Sequence, residues 1–182
     1  MKVIGVNGSP REDGNTAFAV RKVLEGAGGE AGFFTLNGIA PCNSCFACKK
    51  TQKCVVKDAM QPIYRALEES SLLVLGSPIY LDHVSAQTWT FINRLYAYLG
   101  PAVDNRWKGP GRMLLVATQG VGEKNRYHPQ LDQVAAIFRS YWGVEAAEHL
   151  VIGGCPRFGG IADREDAARD ALEAGRRLAE AL

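Results

Sequence analysis

The sequence lacks the features that would assign it to a membrane, a nucleic acid or a secreted scaffold. No apolar run approaches the roughly 20 residues that cross a bilayer. The 21 basic side chains are balanced by 19 acidic ones and form no basic block. Of five cysteines, four fall between residues 42 and 54, unlike a disulfide framework spread through a small fold. We therefore expect a cytoplasmic protein that binds no membrane and no nucleic acid.

Two common nucleotide-binding patterns are also missing. The nucleoside-triphosphate loop requires G-x-x-x-x-G-K-S/T, but here five residues separate Gly8 from Gly14, and Asn15 stands where the lysine would be. The dinucleotide fingerprint G-x-G-x-x-G is absent after the first apolar run, which offers only Gly5 and Gly8. These absences disfavour ATP, GTP and a dinucleotide as the bound ligand.

A set of acid–base catalytic residues is the third absence. No Ser-His-Asp arrangement and no paired carboxylates stand out, and the three histidines are scattered along the chain. We expect His83, His128 and His149 at the surface or at helix ends, and we predict no catalytic side chain. His83 merits notice because it follows Tyr80 closely.

What the sequence does contain is a glycine-bounded, hydroxyl-rich loop, Gly8–Thr16, between an apolar run at residues 3–6 and a helical pattern. Such a loop directs backbone N–H groups and a helix N-terminus at an anion, and Ser9 and Thr16 add hydroxyl donors. A terminal monophosphate such as that of FMN fits best, held by amides, hydroxyls and Arg11. The alternative is an ordinary turn whose Ser, Gly and Asn residues only set its geometry.

Apolar runs and helical patterns alternate along the rest of the chain. Strands are expected at residues 2–7, 33–36, 72–75 and 113–117, and within 144–152. Five strands alternating with five helices predict a single α/β domain over residues 1–182, with a doubly wound parallel sheet and helices on both faces. The carboxyl ends of the central strands then converge on one crevice.

Two more loops are expected at that crevice. The segment Ser77–Tyr80 predicts a rigid turn that would lay an apolar, aromatic wall beside a planar ring. Gly120 and Gly122 would let the backbone after the fourth strand approach the same ring closely. Each pattern alone is common, but three such loops at adjacent strand ends favour a flavin.

Four cysteines form a second constellation, in a loop at residues 40–58. The predicted metal ligands, spaced C-x-x-C-x-x-C with one more after five residues, are Cys42, Cys45, Cys48 and Cys54. This spacing is close to that of cubane ligands, so a [4Fe–4S] cluster is favoured. Structural zinc, which usually joins two separate Cys-x-x-Cys pairs, and unligated or redox-paired thiols are the alternatives. Cys155 is expected to be a buried apolar side chain.

With these motifs the chain resembles the flavodoxin-like NAD(P)H-dependent FMN reductase superfamily and, more narrowly, the iron–sulfur flavoprotein family of anaerobic microbes. The resemblance covers nearly the whole chain. It rests on the GSPR and GNT parts of the first loop, the cysteine motif, Val55–Met60, the SPIY turn, Phe91–Arg94 and Phe158–Ile161. It implies strand order 2-1-3-4-5, FMN, a cubane cluster, and a homodimer or homotetramer in which one subunit's cluster lies near another subunit's flavin.

The resemblance also implies roles for individual residues. The FMN phosphate would be held by Ser9, Arg11, Asn15 and Thr16. The ring and ribityl chain would be held by Pro78, Ile79, Tyr80, Thr118, Gln119, Gly120, Val121 and Gly122. Many relatives have two adjacent acids before the helix methionine, whereas Asp58-Ala59-Met60 keeps one. The loop after Gly120 is unusual, so we transfer no substrate specificity.

These features predict an FMN-dependent oxidoreductase that couples a [4Fe–4S] cluster to FMN, with ferredoxin or NAD(P)H as the redox partner. The alternatives are a cluster-free NAD(P)H-dependent FMN or quinone reductase, and a non-catalytic flavin-binding or zinc-stabilised interaction module. The aromatic residues Trp89, Phe91, Tyr96 and Tyr98 leave two hypotheses for their helix, namely core packing or contact with another subunit.

Overall fold

Parallel strands form the centre of the fold in the computed structural model, which describes residues 1–146, 149–156 and 160–180. The strands are β1 (Lys2–Asn7), β2 (Glu30–Thr35), β3 (Leu72–Tyr80), β4 (His83–Val84), β5 (Arg112–Thr118), β6 (Glu145–Ala146) and β7 (Leu150–Ile152). Their order is β2-β1-β3-β5, with β6 and β7 both parallel to β5. With β6 and β7 taken as one interrupted position and the hairpin strand β4 set aside, the predicted order 2-1-3-4-5 is confirmed.

Helices connect the strands and cover both faces of the sheet. They are α1 (Asn15–Ala27), α2 (Ala47–Thr51), α3 (Met60–Glu69), α4 (Ala86–Arg94), α5 (His128–Trp142) and α6 (Glu165–Glu180), and a 3₁₀ turn at Leu95–Tyr98 follows α4. Successive strand side chains point to opposite faces, which divides the core in two. Ile4 and Leu73 pack with α3, α4 and α5, whereas Val3 and Leu72 pack with α1 and α6. The doubly wound α/β architecture is therefore confirmed.

The structure differs from expectation at the end of β3. The predicted turn at Ser77–Tyr80 is wrong, because β3 continues through it and pairs with β5 as far as Pro78 and with β4 beyond. The chain reverses one step later, at Leu81 and Asp82, which have φ values of 46° and 66°. Since β1 pairs with β3 only as far as Gly76, Pro78 lies where the sheet can tolerate its missing N–H.

The last predicted strand is divided. Residues 144–152 contain β6 and β7, and residues 147–148 between them lie outside the described part of the chain. Phe158 and Gly159, from the motif before the last helix, also lie outside it. None of the described helices combines the length and the apolar character needed to cross a bilayer.

A buried arginine fixes the cysteine-bearing segment 40–58 to the sheet domain. Arg94, at the end of α4, has only 1% of its side chain exposed. Its Nη1 donates to the Ala40 carbonyl at 2.8 Å and to Asp58 Oδ2 at 2.5 Å, and its Nη2 donates to Asp58 Oδ1 at 3.2 Å. Asp58 also accepts the backbone N–H groups of Ala40 and Met60 at 2.9 and 3.0 Å. Both ends of the segment therefore meet at one buried ion pair.

Two glycines let α1 and α6 pack backbone against backbone. A Cβ atom at Gly175 would lie 2.7 Å from the backbone nitrogen of Ala27 and would clash with the carbonyl of Val23. A Cβ atom at Gly26 would clash with the carbonyl of Leu172. Because α1 begins at the crevice, this contact also sets the position of the Gly8–Thr16 loop.

We expect Gly175→Ala to lower the free energy of unfolding by about 1–3 kcal/mol, because the added methyl group meets backbone atoms that cannot move aside. Helix propensity alone would have the opposite sign, since alanine is the better helix former. Urea unfolding followed by circular dichroism measures the change. Gly111→Ala is the control, because a Cβ atom there meets nothing within 4 Å; equal effects from both substitutions would contradict the close-packing argument.

The ion pair predicts a pH dependence of stability. Burial raises the pKa of Asp58, but the hydrogen bonds from Arg94 and from the Ala40 and Met60 N–H groups outweigh it and hold the pKa below its ordinary value. A carboxylate of this kind stabilises the fold above its unfolded pKa of about 3.9, and that contribution disappears as the pH falls through the folded pKa.

We therefore expect Asp58→Asn to lower the free energy of unfolding at pH 7 by about 3 kcal/mol, because Arg94 loses its buried partner. The difference between wild type and variant should shrink below about pH 4. Urea unfolding across this pH range tests both points, and a difference that stays constant with pH would refute the linkage. Glu69→Gln, in the exposed pair with Lys2, is the matched control, with an expected change below about 0.5 kcal/mol.

Candidate functional site

The loops at the carboxyl ends of β1, β3 and β5 line one cavity of about 370 Å³. Its walls include most of the predicted cofactor-binding residues: Ser9, Arg11, Asn15, Thr16, Pro78, Ile79, Tyr80, Thr118, Gln119 and Gly120. Val121 and Gly122 follow in the same loop and are exposed. The structure thus brings the three loops together, and the binding roles of these residues stay predictions.

Hydrogen bonds within the chain fix the shape of the first loop beside the cavity. The Ser9 N–H donates to Asn7 Oδ1 at 3.0 Å, and the Arg11 N–H donates to Ser9 Oγ at 3.1 Å. Asn7 Nδ2 in turn donates to the Arg11 carbonyl at 3.2 Å. Gly14 precedes α1 without a side-chain cap, and the first turn of α1 carries no acid. The helix therefore presents N–H groups suited to an anion.

Two buried hydroxyls join α1 to the end of β5. Thr16 Oγ1 and Thr118 Oγ1 lie 2.7 Å apart, and either can donate to the other. Asn15 Oδ1 accepts the Ile161 N–H at 3.1 Å, which leaves its Nδ2 group without an acceptor among the described residues. The start of α1 thus offers amide and hydroxyl donors at one wall of the cavity.

Gln119 lines the same cavity and carries a buried acceptor with no partner among the described residues. The residue is 2% exposed, and its Nε2 donates to the carbonyls of Val121 and Glu123 at 3.2 and 2.7 Å. Its Oε1 is buried and has no donor within the part of the chain that the structure describes. A buried acceptor without a partner is costly, so this atom suits a ligand that carries an N–H group.

The loop after β7 completes the cavity. The sequence patterns did not predict the contribution of this loop. Cys155 and Pro156 both line the cavity. Cys155 is half-buried rather than buried, its thiol donates to the Ile152 carbonyl at 3.2 Å, and burial raises its pKa. The available signal was its position, because the carboxyl end of the last parallel strand lies at the same edge of the sheet as the other loops.

The four predicted ligand cysteines line a second pocket, between segment 40–58 and α4. All four are free thiols; Cys42 and Cys45 are exposed, and Cys48 and Cys54 are half-buried. The backbone turns tightly there, with Phe46 at a φ of 55°. Among the described residues, no group of three or more His, Cys, Asp or Glu side chains is placed to hold a metal ion.

One cationic side chain, Arg94, lines the cysteine pocket, and two more, Arg106 and Lys49, contact backbone carbonyls of residues near it. Arg94 Nη2 lies 3.4 Å from Cys54 Sγ. Arg106 Nη2 donates to the Cys48 carbonyl at 3.3 Å. Lys49 Nζ donates to the Tyr96 carbonyl at 3.2 Å and lies 3.4 Å from the centre of the Tyr96 ring. Motif spacing could not predict these contacts, because they join the cysteine segment to residues about 40 to 60 positions away.

A groove of about 700 Å³ separates the cysteine segment from α4 and α5. Trp89, Tyr96 and the exposed Phe46 line it. Phe91 and Tyr98 are buried in the core at 0% and 7% exposure. Core packing is therefore correct for Phe91 and Tyr98, whereas Trp89 and Tyr96 are partly buried against the same core and also line the groove.

The histidines lie away from the 370 Å³ cavity. His83 Nε2 is 3.3 Å from Gln133 Oε1, and its ring lies 5.3 Å from that of Trp89. His149 Nε2 contacts Asp132 Oδ1 at 2.8 Å, and the His128 ring is 5.8 Å from the His149 ring. No histidine among the described residues lines the cavity.

Solved structures share this fold. A flavone reductase superposes with a TM-score of 0.71 at 18% identity, over 100% of this chain and 62% of its own. An NAD(P)H:quinone oxidoreductase from Methanothermobacter marburgensis superposes with a TM-score of 0.72 at 16% identity, over 98% and 96%. At these identities the likeness establishes the fold alone.

Curated proteins resemble the sequence more specifically. An iron–sulfur flavoprotein of Archaeoglobus fulgidus is 31% identical over 189 aligned positions, which cover 100% of this chain and 80% of that protein. An iron–sulfur flavoprotein of Methanocaldococcus jannaschii is 39% identical over 99 residues, and this match spans 52% of the chain and 51% of that protein. The family model described as NADPH-dependent FMN reductase matches residues 1–148. The chain therefore belongs to the NADPH-dependent FMN reductase family and, within it, to the iron–sulfur flavoproteins.

Proposed function

We propose that this protein is a cytoplasmic, single-domain, FMN-dependent oxidoreductase that also carries a [4Fe–4S] cluster. FMN would lie in the 370 Å³ cavity, and the cluster would lie in the pocket lined by the four cysteines. The observation that carries the proposal is that one chain holds both pockets, each lined by the residue types its cofactor requires. A flavin exchanges electrons in pairs or singly and a cubane exchanges them singly, so a protein that binds both links two-electron to one-electron chemistry.

The loop Gly8–Thr16 suits the FMN phosphate. The uncapped start of α1 supplies backbone N–H groups, and the hydroxyl of Thr16 and the amide of Asn15 lie beside it. Arg11 is exposed at the mouth of the cavity and adds a positive charge. Amides, hydroxyls and one cation are the groups that bind a dianionic phosphate.

The opposite side of the cavity suits the flavin ring. Pro78 and Ile79 supply apolar surface, and the half-exposed Tyr80 supplies an aromatic one. Gln119 Oε1, a buried acceptor with no donor among the described residues, would accept a hydrogen bond from the N–H group at the polar edge of the ring. Such an acceptor orients the ring and adjusts its reduction potential. Thr118, Gly120, Val121 and Gly122 complete the proposed ring and ribityl site.

The arrangement of the cysteines favours a cluster over zinc. All four thiols line one pocket. Three of them follow one another at two-residue gaps, as in cubane-ligating motifs, whereas structural zinc usually joins two separate Cys-x-x-Cys pairs. The half-buried pair Cys48 and Cys54 and the exposed pair Cys42 and Cys45 would then bind the cluster from its inner and outer sides.

The proposal includes a redox partner and an oligomer. Ferredoxin or NAD(P)H would supply electrons, and the protein would form a homodimer or homotetramer. Cys42 lines both the cysteine pocket and the 700 Å³ groove. The exposed Phe46 and Tyr141 leave apolar surface at that groove, a property common at protein interfaces.

The phosphate site predicts a selective loss of FMN affinity. Thr16→Val removes one hydroxyl donor and keeps the shape of the side chain, so the dissociation constant for FMN should rise about tenfold. Binding of riboflavin, which has no phosphate, should change little. Quenching of flavin fluorescence in titrations of flavin-free protein measures both. Thr90→Val, in α4 outside the cavity, is the matched control, and equal weakening of FMN and riboflavin would exclude Thr16 as a phosphate ligand.

The cluster proposal predicts a loss of iron with retention of flavin. Protein purified without oxygen should contain about four iron and four sulfide ions per FMN. Cys48→Ser should reduce the iron content by at least half and leave FMN near one per chain, because a serine hydroxyl is a poor ligand for the cluster. Iron, sulfide and flavin analysis with visible spectroscopy measures these contents.

Cys155→Ser is the control for this experiment, because Cys155 lines the other pocket. The variant protein should therefore contain as much iron as the wild type. Equal iron loss in both variants would contradict the ligand assignment. A wild-type protein with a clean flavin spectrum and no iron would reject the cluster and make direct NAD(P)H oxidation the activity to assay.

A further inference from the structure

The guanidinium group of Arg94 touches one of the proposed cluster ligands directly. Its Nη2 lies 3.4 Å from Cys54 Sγ and 3.2 Å from Asp58 Oδ1, and only 1% of the side chain is exposed. The other two cations near the pocket are arranged differently, because Lys49 and Arg106 donate to backbone carbonyls. Among these three cations, therefore, only Arg94 makes a described contact with a ligand sulfur.

The burial of Arg94 strengthens the electrostatic interaction between its guanidinium group and Cys54. A charge buried in the protein interacts more strongly with its neighbours than one in water. Asp58 compensates part of the charge through two hydrogen bonds, but the Nε atom is buried and has no partner among the described residues. The site thus keeps one oriented cation against Cys54, with one carboxylate behind it. Hydrogen bonds to ligand sulfurs and local charge are two of the levers that set the potential of an iron–sulfur centre.

We propose that Arg94 is a positioning residue that raises the reduction potential of the cluster through its contact with Cys54, and that Asp58 limits this effect. Reduction adds one electron from an external one-electron donor and makes the cluster and its thiolates more negative. The nearby cation and its N–H group stabilise that added charge. This inference rests on the proposed function, since it requires a cluster on the four cysteines.

Opposite substitutions in the same ion pair test the inference. In Arg94→Gln the ratio of reduced to oxidised cluster at a fixed potential should fall about tenfold, which corresponds to a shift of 59 mV to more negative potential for one electron. Asp58→Asn removes the compensating negative charge, so the same ratio should rise at least threefold. Arg94→Lys keeps the charge without the planar fork and should fall between wild type and Arg94→Gln.

The measurement is an anaerobic redox titration with dithionite, in which the reduced cluster is followed by electron paramagnetic resonance. Arg65→Gln is the matched control, because this exposed arginine lies in a pocket that also includes Cys54. It makes the same change of charge in a screened position, and the ratio should change less than twofold.

Each outcome has a defined meaning. Shifts of opposite sign in Arg94→Gln and Asp58→Asn support the inference, since simple loosening of the segment would not reverse sign between them. Shifts of the same sign, or none, overturn it even though the cluster is present. If Arg94→Gln holds no iron, Arg94→Lys and Asp58→Asn decide by the same criterion. A wild-type protein that binds FMN but no iron overturns the proposed function itself, and this inference with it.

Discussion

The ion pair between Arg94 and Asp58 joins the sheet domain to the cysteine segment 40–58, two parts of the molecule that are stabilised in different ways. The sheet domain is stabilised by apolar packing on both faces, and it needs no contribution from the cysteine segment to build its core. The segment has almost no apolar core of its own, since its only described helix, α2, has five residues and none is buried. Its position depends on polar contacts, and the strongest of these is a buried guanidinium that holds Asp58 and Ala40 together. Removal of either charged partner would leave the other unpaired in a medium of low polarity.

If the four cysteines bind the proposed cluster, the same pair links structure to redox chemistry. A buried charge is costly, and hydrophobic residues of similar volume often stabilise a fold as well as an ion pair does. An arginine at this position gives the chain something an apolar residue would not, namely a donor 3.4 Å from a cysteine sulfur. The cavity at the strand ends shows a comparable pattern, because Gln119 Oε1 is buried and no donor reaches it from the residues that the structure describes. Each of the two proposed cofactor sites therefore contains a buried polar side chain with an atom that has no partner among the described residues.

The sequence was sufficient to predict the architecture, because continuous apolar runs such as Leu72–Leu75 alternate with helical patterns and indicate strands buried on both faces. It also predicted which loops meet, since parallel strands end at one edge of the sheet. The turn at Ser77–Tyr80 was misplaced because strand pairing with β5 extended β3 through a proline. The role of Arg94 was not accessible, because its partners lie 36 and 54 positions away and no local pattern encodes such contacts. The position of Cys155 at the cavity could have been predicted from the topology, because it follows the last parallel strand. The spacing of the cysteines was instead considered only for metal ligands.

The glycine contact between α1 and α6 has a consequence for how the protein matures. Helix α1 follows the proposed phosphate loop directly, yet its packing face is closed by α6, far away in the chain. Contacts between distant segments form late, because the intervening chain must first be ordered. During synthesis the loop therefore leaves the ribosome long before the helix that steadies its support. If this loop binds the FMN phosphate as proposed, its support is complete only once α6 has docked, after nearly the whole domain has been synthesised.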